Sequence, residues 1–479
     1  MLTRIIKHEW RNLRADRTLW VVALLFAVCI GYAMYNGFAW VRFQKQTIAS
    51  AAQDEGERYD LLKNQIADYE QNAPPELTPF ADPRNPTAAG RAHGQRYAAM
   101  PPAPLAALSV GQSDLLPYYF KISTRSQQTF VNNDEIENPS NLLAGRFDTA
   151  FVIIYLLPLL ILALSYNFLS GEREAGTLQM LLAQPVGLHS FIIGKIFLRF
   201  AVVTVLVIGF ALVAFLLGGG NLAAEGVFAR ALLWALAVTA YISFWFALAI
   251  VVNAFGWKSA TNAVALAGVW LFFVILIPSL SNVAVTSLYP VPSRVEMIGA
   301  MRDASSEATT KGSQLLAKYM EDHPELTGGE SDPNDAAART YAVQEEVDRQ
   351  VQPVLARYDD QLRRQQNLVE LVRFLSPAIV MQETLNDISG TGSDRYQHFR
   401  ALVKNYHAGW QNYFIPRVFQ KTKLTAESYD NSPRFAWQEE NSEGVARRVL
   451  FGLLGIVAFT LAAAAFGLSA IRRYSVIGG

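Results

Sequence analysis

The chain has 479 residues, of which 51% are apolar and only 17% charged, and its formal net charge is zero. That balance gives no global basic field for nucleic acid, and the single cysteine, Cys29, excludes an internal disulfide. The length would suit several soluble domains, but long charge-free apolar runs place the chain among membrane proteins.

Residues 1–17 are amphipathic. Leu2, Ile5, Ile6, Trp10 and Leu13 recur at helical spacing, and Arg4, Lys7, Arg11, Arg14 and Arg17 occupy the remaining positions. This pattern reads as an interfacial helix with its arginines toward anionic lipid. A basic flank without a defined helix is the alternative, and both give the same orientation.

Six apolar runs then reach the roughly 20 residues that a bilayer crossing needs: 18–39, 149–169, 191–217, 231–253, 260–280 and 449–471. Trp20, Trp40, Tyr166 and Trp257 stand near their ends, as in an aromatic belt. Basic residues cluster in the N-terminal flank, at Arg173, Lys195 and Arg199, and at Arg472-Arg473 in the tail 472–479. The positive-inside rule then puts both termini and the loop 170–190 in the cytoplasm. Arg42, Lys45, Arg447 and Arg448 adjoin long loops, which translocate largely regardless of charge. Lys195 and Arg199 are expected to snorkel to the headgroups.

With that orientation two long hydrophilic insertions, 40–146 and 281–446, lie on the extracytoplasmic side. The first is expected to open as a helix continuing from span 1. Ile48, Ala52, Tyr59, Leu62, Ile66 and Tyr69 keep a heptad in which Glu55 is the misfit, and this face is read as packing on the second insertion. Prolines from Pro74 to Pro86 exclude helix, Pro101 to Pro104 are extended, and 115–123 is the strand candidate. In the second insertion 336–353, 354–374 and 394–419 read as helices, with 386–395 as a loop between them. The aromatic stripe Tyr396, Phe399, Tyr406, Trp410, Tyr413 and Phe414 reads as core. The fold class is therefore a mainly α membrane protein. It has six transmembrane helices, an N-terminal interfacial helix and two mostly helical insertions between spans 1 and 2 and between spans 5 and 6.

Residues 165–195 carry the most information. The charged triplet Glu172-Arg173-Glu174 follows span 2, and a short helix follows it, with Thr177 as N-cap, an apolar face of Leu178, Met180, Leu181 and Leu182, and a stop at Pro185. So short a helix nucleates poorly alone, so lipid or another protein is expected to hold its leucine face. This segment resembles the signature of ABC-2 family transporter permeases, carried here by Gly171, Glu172, Arg173, Glu174, Gly176, Thr177, Leu178, Leu181, Leu182 and Pro185, then Gly194-Lys195. The resemblance implies that the short helix is a coupling helix that docks on a separate ATPase subunit, with Leu181 and Leu182 as the seated knobs. It also implies a cytoplasmic ATPase dimer, a second permease copy or paralogue, and a bacterial inner-membrane location. Large paired insertions with Ser376-Pro377-Ala378 further resemble one subgroup whose extracytoplasmic domain has no assigned function.

Leu169-Ser170-Gly171-Glu172 looks like the LSGGQ signature of such ATPases, but no GxxxxGK phosphate loop accompanies it. ATP and Mg are therefore expected on the partner, with no cofactor in this chain. The six histidines, His8, His93, His189, His323, His398 and His407, have no zinc spacing, and no nucleophile constellation supports a membrane-anchored hydrolase. The spans hold almost no ionisable group, which suits a hydrophobic or amphipathic passenger better than an ion. Two functions remain open: an ATP-driven exporter subunit, or a permease whose ATP-driven motion moves the insertions against an envelope partner.

Overall fold

The computed structural model describes residues 2–15, 17–72, 78–126, 146–183, 187–290, 294–323 and 335–472. Among the described residues, the N-terminal helix Leu2–Ala15 precedes six helices long and apolar enough to cross a membrane. These are span 1 (Leu19–Gln71), span 2 (Thr149–Glu174), span 3 (Leu188–Leu217), span 4 (Val227–Ala254), span 5 (Ser259–Leu288) and span 6 (Ser442–Ile471). Each contains the apolar run read from the sequence, apart from the first residue of span 1, and most extend past it. Spans 4 and 6 pair along much of their length, span 3 packs on span 1 and the N-terminal helix, and span 4 also packs on span 2.

Two spans depart from regular α-helix. Span 2 contains the π-helical turn Val152–Leu156 and span 5 contains Leu271–Leu276. A π-turn shifts the hydrogen-bond ladder and frees carbonyls, which lipid cannot satisfy. Side chains take them instead. The Tyr241 hydroxyl donates to the Ile154 carbonyl at 3.1 Å, the Trp270 indole to Tyr155 at 3.2 Å, and the Ser376 hydroxyl to Phe273 at 2.5 Å.

That last bond introduces an element the hydropathy pattern does not reveal. The helix Pro377–Ser389 belongs by sequence to the second insertion, yet it wedges against spans 4, 5 and 6. Its Ala378, Val380, Met381, Leu385 and Ile388 share one buried core with the spans. Ser376 caps its first turn, accepting from the Ala378 amide at 3.1 Å, and Pro377 takes the first helical position, where its missing N–H costs nothing. On the facing span only glycine fits: a Cβ on Gly452 would lie 2.0 Å from Thr384 Oγ1. The helix runs to Ser389 and ends at Gly390, whose φ of 69° is left-handed. The expected loop 386–395 thus shrinks to three residues, because the helix Ser393–Phe419 starts at once.

The two insertions share a second core. Span 1 continues unbroken in the helix Arg17–Gln71, as its heptad predicts. Its Trp40, Tyr59, Leu62 and Ile66 pack with Phe120 and Ile122 from the first insertion and with Phe399, Trp410, Phe414 and Tyr429 from the second. Burial of each such side chain contributes roughly 1.5–3 kcal/mol. The aromatic stripe is therefore core. Strands β1 (Arg96–Ala99) and β2 (Tyr119–Ile122) pair antiparallel, with Arg96 opposite Ile122; β2 is shorter than the expected strand, and its partner gave no clear signal.

Glu55, the heptad misfit, has a partner. Arg96 Nη1 donates to its Oε1 at 2.6 Å and the Tyr97 amide to its Oε2 at 2.8 Å. The same guanidinium covers the Tyr59 ring at 3.9 Å and bonds Ser432 and the Tyr429 carbonyl. One buried arginine thus ties both insertions to the span 1 helix.

Proline accounts for two further corrections. Pro86 does not exclude helix: it opens the short helix Pro86–Ala88 at the first position, with the Asn85 side chain accepting from the Thr87 amide at 2.8 Å. The two helices expected at 336–353 and 354–374 form one, Ala336–Val372, with Pro353 inside it. That helix packs along Arg294–Thr310 and Gly312–Asp322, and this tertiary support outweighs the roughly 3 kcal/mol that an interior proline costs.

Candidate functional site at the junction of spans 2 and 3

Span 2 does not run straight to its end. Its α-helix stops at Ser165, turns through 166–169, and resumes as Ser170–Glu174. The last carbonyls of a helix have no partner within it. Three of them are taken by side chains of three other spans. Arg199 of span 3 donates to the Leu164 carbonyl, Asn253 of span 4 to Ser165 at 3.1 Å, and Asn262 of span 5 to Tyr166 at 3.2 Å. Asn262 also donates to Asn253 Oδ1 at 3.2 Å, so the two buried amides act as a pair.

The charged triplet fastens the end of span 2 to its neighbours. Glu172 Oε1 accepts from Lys195 Nζ of span 3 at 2.8 Å, and its other oxygen accepts from the Thr177 hydroxyl. Arg173 donates to the Trp257 carbonyl at 3.1 Å. Glu174 reaches across to span 5, where its two oxygens accept from the Ser259 amide at 2.7 Å and hydroxyl at 2.9 Å. It thereby caps a helix whose own N-cap residue, Lys258, makes no side-chain cap bond. Ser170 and Ser259 hydroxyls meet at 2.9 Å.

The short helix is Thr177–Leu182. Its N-cap is Gly176 at φ 73°, a left-handed conformation that glycine adopts without strain. Thr177 is therefore not the cap: it is the first helical residue, and its hydroxyl is engaged by Glu172. Nor does the leucine face wait for lipid or another protein. Leu178 is buried at 1% exposure, and Leu181 and Leu182 are half-buried against the span core. The exposed apolar residue is Met180, at 70%. Pro185 lies outside the described residues.

Lys195 and Arg199 do not snorkel, because both have carboxylates within reach. Arg199 holds Glu9 of the N-terminal helix at 2.8 Å, and the side chains of the pair are 15% and 7% exposed. Glu9, Asn253 and Asn262 escaped the sequence reading. A lone polar residue inside an apolar run is the signal that could have found the asparagines. Among the described residues no group of His, Cys, Asp and Glu is placed to hold a metal ion.

Residues 119–278, which span this whole junction, match the family described as ABC-2 family transporter protein. The matched stretch is an ABC-2 family transporter domain, which supports reading the chain as a permease. A second match covers residues 294–438 of the permease and is to a domain of unknown function, DUF3526. A curated relative, the probable ABC transporter permease protein NosY of Stutzerimonas stutzeri, is 33% identical over 138 residues, 26% of this chain and 47% of that protein. The permease thus matches about half the length of this relative. Its six long apolar helices make it a multi-pass membrane protein.

Proposed function

We propose that this permease is the membrane subunit of an ATP-driven exporter, with both termini and the helix Thr177–Leu182 in the cytoplasm and the two insertions outside. A separate ATPase dimer binds ATP and Mg and docks on the short helix, and a second permease copy or a paralogue completes the complex. The carrying observation is the hydrogen-bonded junction: Glu172, Arg173 and Glu174 connect the short helix to span 3, the loop before span 5 and span 5 itself. A push on that helix reaches the spans as a rigid displacement. The exposed Met180, with Gln179 beside it, is the surface offered to the ATPase. Leu178, Leu181 and Leu182 hold the helix to its own bundle. The passenger is hydrophobic or amphipathic, in keeping with spans that are almost free of charge.

A second reading draws on the unbroken helix Arg17–Gln71, which runs from the bundle into the core shared by both insertions. Under it, ATP hydrolysis moves the insertions against an envelope partner and nothing crosses. Reconstitution with the ATPase in proteoliposomes tests both. Transfer of a fluorescent amphiphile that requires hydrolysis supports export. ATP-dependent change in the distance between labels on the insertion and on a span, without transfer, supports the second reading. Met180→Asp should abolish ATPase recovery in either case; recovery at the wild-type yield would remove the docking assignment.

A further inference from the structure

The N-terminal helix, the first turns of span 1 and the middle of span 3 border a groove of about 310 Å³. This is the low end of the size range of small-molecule sites. Leu13, Leu19, Ala23, Leu198, Ala201 and Val205 give it an apolar lining, and Arg14 is the one charged residue at its wall among the described residues. The mouth is held in place, because the Trp20 indole donates to the Arg14 carbonyl at 3.0 Å across the turn between helix and span. Trp10 and Trp20 flank the groove and are about half exposed, as aromatic residues at a headgroup boundary are.

Among the described residues, the exposed charges beside the groove have one sign. Lys7, Arg11, Arg14 and Arg17 are exposed, and none has an ion-pair partner among the described residues. The helix has one acid, Glu9, which is buried and bound to Arg199 and so cannot offset them. An apolar slot opening beside an uncompensated cationic face complements a molecule with a hydrocarbon chain and an anionic head. A zwitterionic lipid would fill the slot but bring a cation of its own to a face that is already cationic.

We propose that this groove is a binding site for one anionic glycerophospholipid, with an acyl chain between the N-terminal helix and spans 1 and 3 and its phosphate at Arg14. The site is independent of what the permease moves. The full-length chain, equilibrated in nanodiscs of equal phosphatidylglycerol and phosphatidylcholine and then released for native mass spectrometry, should retain phosphatidylglycerol preferentially. Arg14→Gln should lower that preference about fivefold, the effect of one basic residue at an anionic surface, while Arg14→Lys restores most of it. Val205→Trp, which fills the slot, should remove the retained lipid of either kind. Thermal transitions near the wild-type value in the variants show that they are folded. Equal retention of the two lipids by the wild type, an unchanged preference in Arg14→Gln, or a persistent phosphatidylglycerol adduct in folded Val205→Trp would each overturn the site.

Discussion

Lys195 Nζ lies 2.8 Å from Glu172 Oε1, with the lysine side chain 8% and the glutamate 27% exposed. Removing one partner leaves the other charge poorly solvated. Lys195→Met or Glu172→Gln is expected to destabilise the permease by about 2–4 kcal/mol, somewhat under the cost for a fully buried pair. The double variant should recover much of that loss. Thermal unfolding of the four proteins in nanodiscs gives the cycle; strictly additive losses would mean that the two residues do not interact. The double variant should still bind the ATPase but show lowered coupled activity, because the short helix loses its tie to span 3.

The short helix separates packing from docking. Leu178→Ala is expected to cost about 2–5 kcal/mol, as for other buried leucines, and to lower membrane yield. Met180→Asp should leave stability unchanged and reduce ATPase co-purification by about thirtyfold or more, the scale of an interface hot spot. Leu181→Asp should do both, since Leu181 is half-buried on its own bundle. Equal losses of stability in Met180→Asp and Leu178→Ala would show that Met180 is a packing residue.

Sidedness has a direct check. In a Cys29→Ala background, cysteines at Gln179 and at Glu321, both exposed, should react with an impermeant maleimide from opposite faces of the membrane. Labelling from one face at both positions would contradict the proposed topology.

Asp387, outside the six spans, has its carboxyl raised to about 6, chiefly by burial, which outweighs the lowering by Arg448. The folded state therefore holds this proton more tightly than the unfolded chain. Its contribution is complete below about pH 4 and is lost as pH rises through 6. Asp387→Asn should flatten the stability profile between those values and leave the variant more stable at pH 8, by about 1–3 kcal/mol. Urea titrations at pH 4.5 and 8 measure it; an unchanged pH slope would contradict the assignment.

The spans were legible because charge-free runs of bilayer length seldom occur outside a membrane, and Glu172 to Leu182 stood out by order and spacing. The partners were not. Lys195 and Glu172 are 23 residues apart, and Arg199 and Glu9 are 190 apart, so no local pattern joins them. Local rules also failed where packing overrode them. Pro353 sits inside a helix supported by neighbours, and the helix Pro377–Ser389 is too short to register as membrane-associated although its core is that of the spans. Glu55 looked like a defect in a heptad until Arg96, from a separate strand, supplied its counter-charge.

The helix Arg17–Gln71 leaves the bundle with about 30 residues still to run, close to 50 Å at 1.5 Å per residue. Geometry then amplifies small rotations. A tilt of span 1 by about 5° about its exit point swings the far tip by roughly 4 Å, more than the width of a water molecule. A lever of this length needs only a modest stroke at its base. Its mechanical advantage is set by the stiffness of an uninterrupted helix, so one proline near residue 45 would uncouple stroke from swing without altering either end.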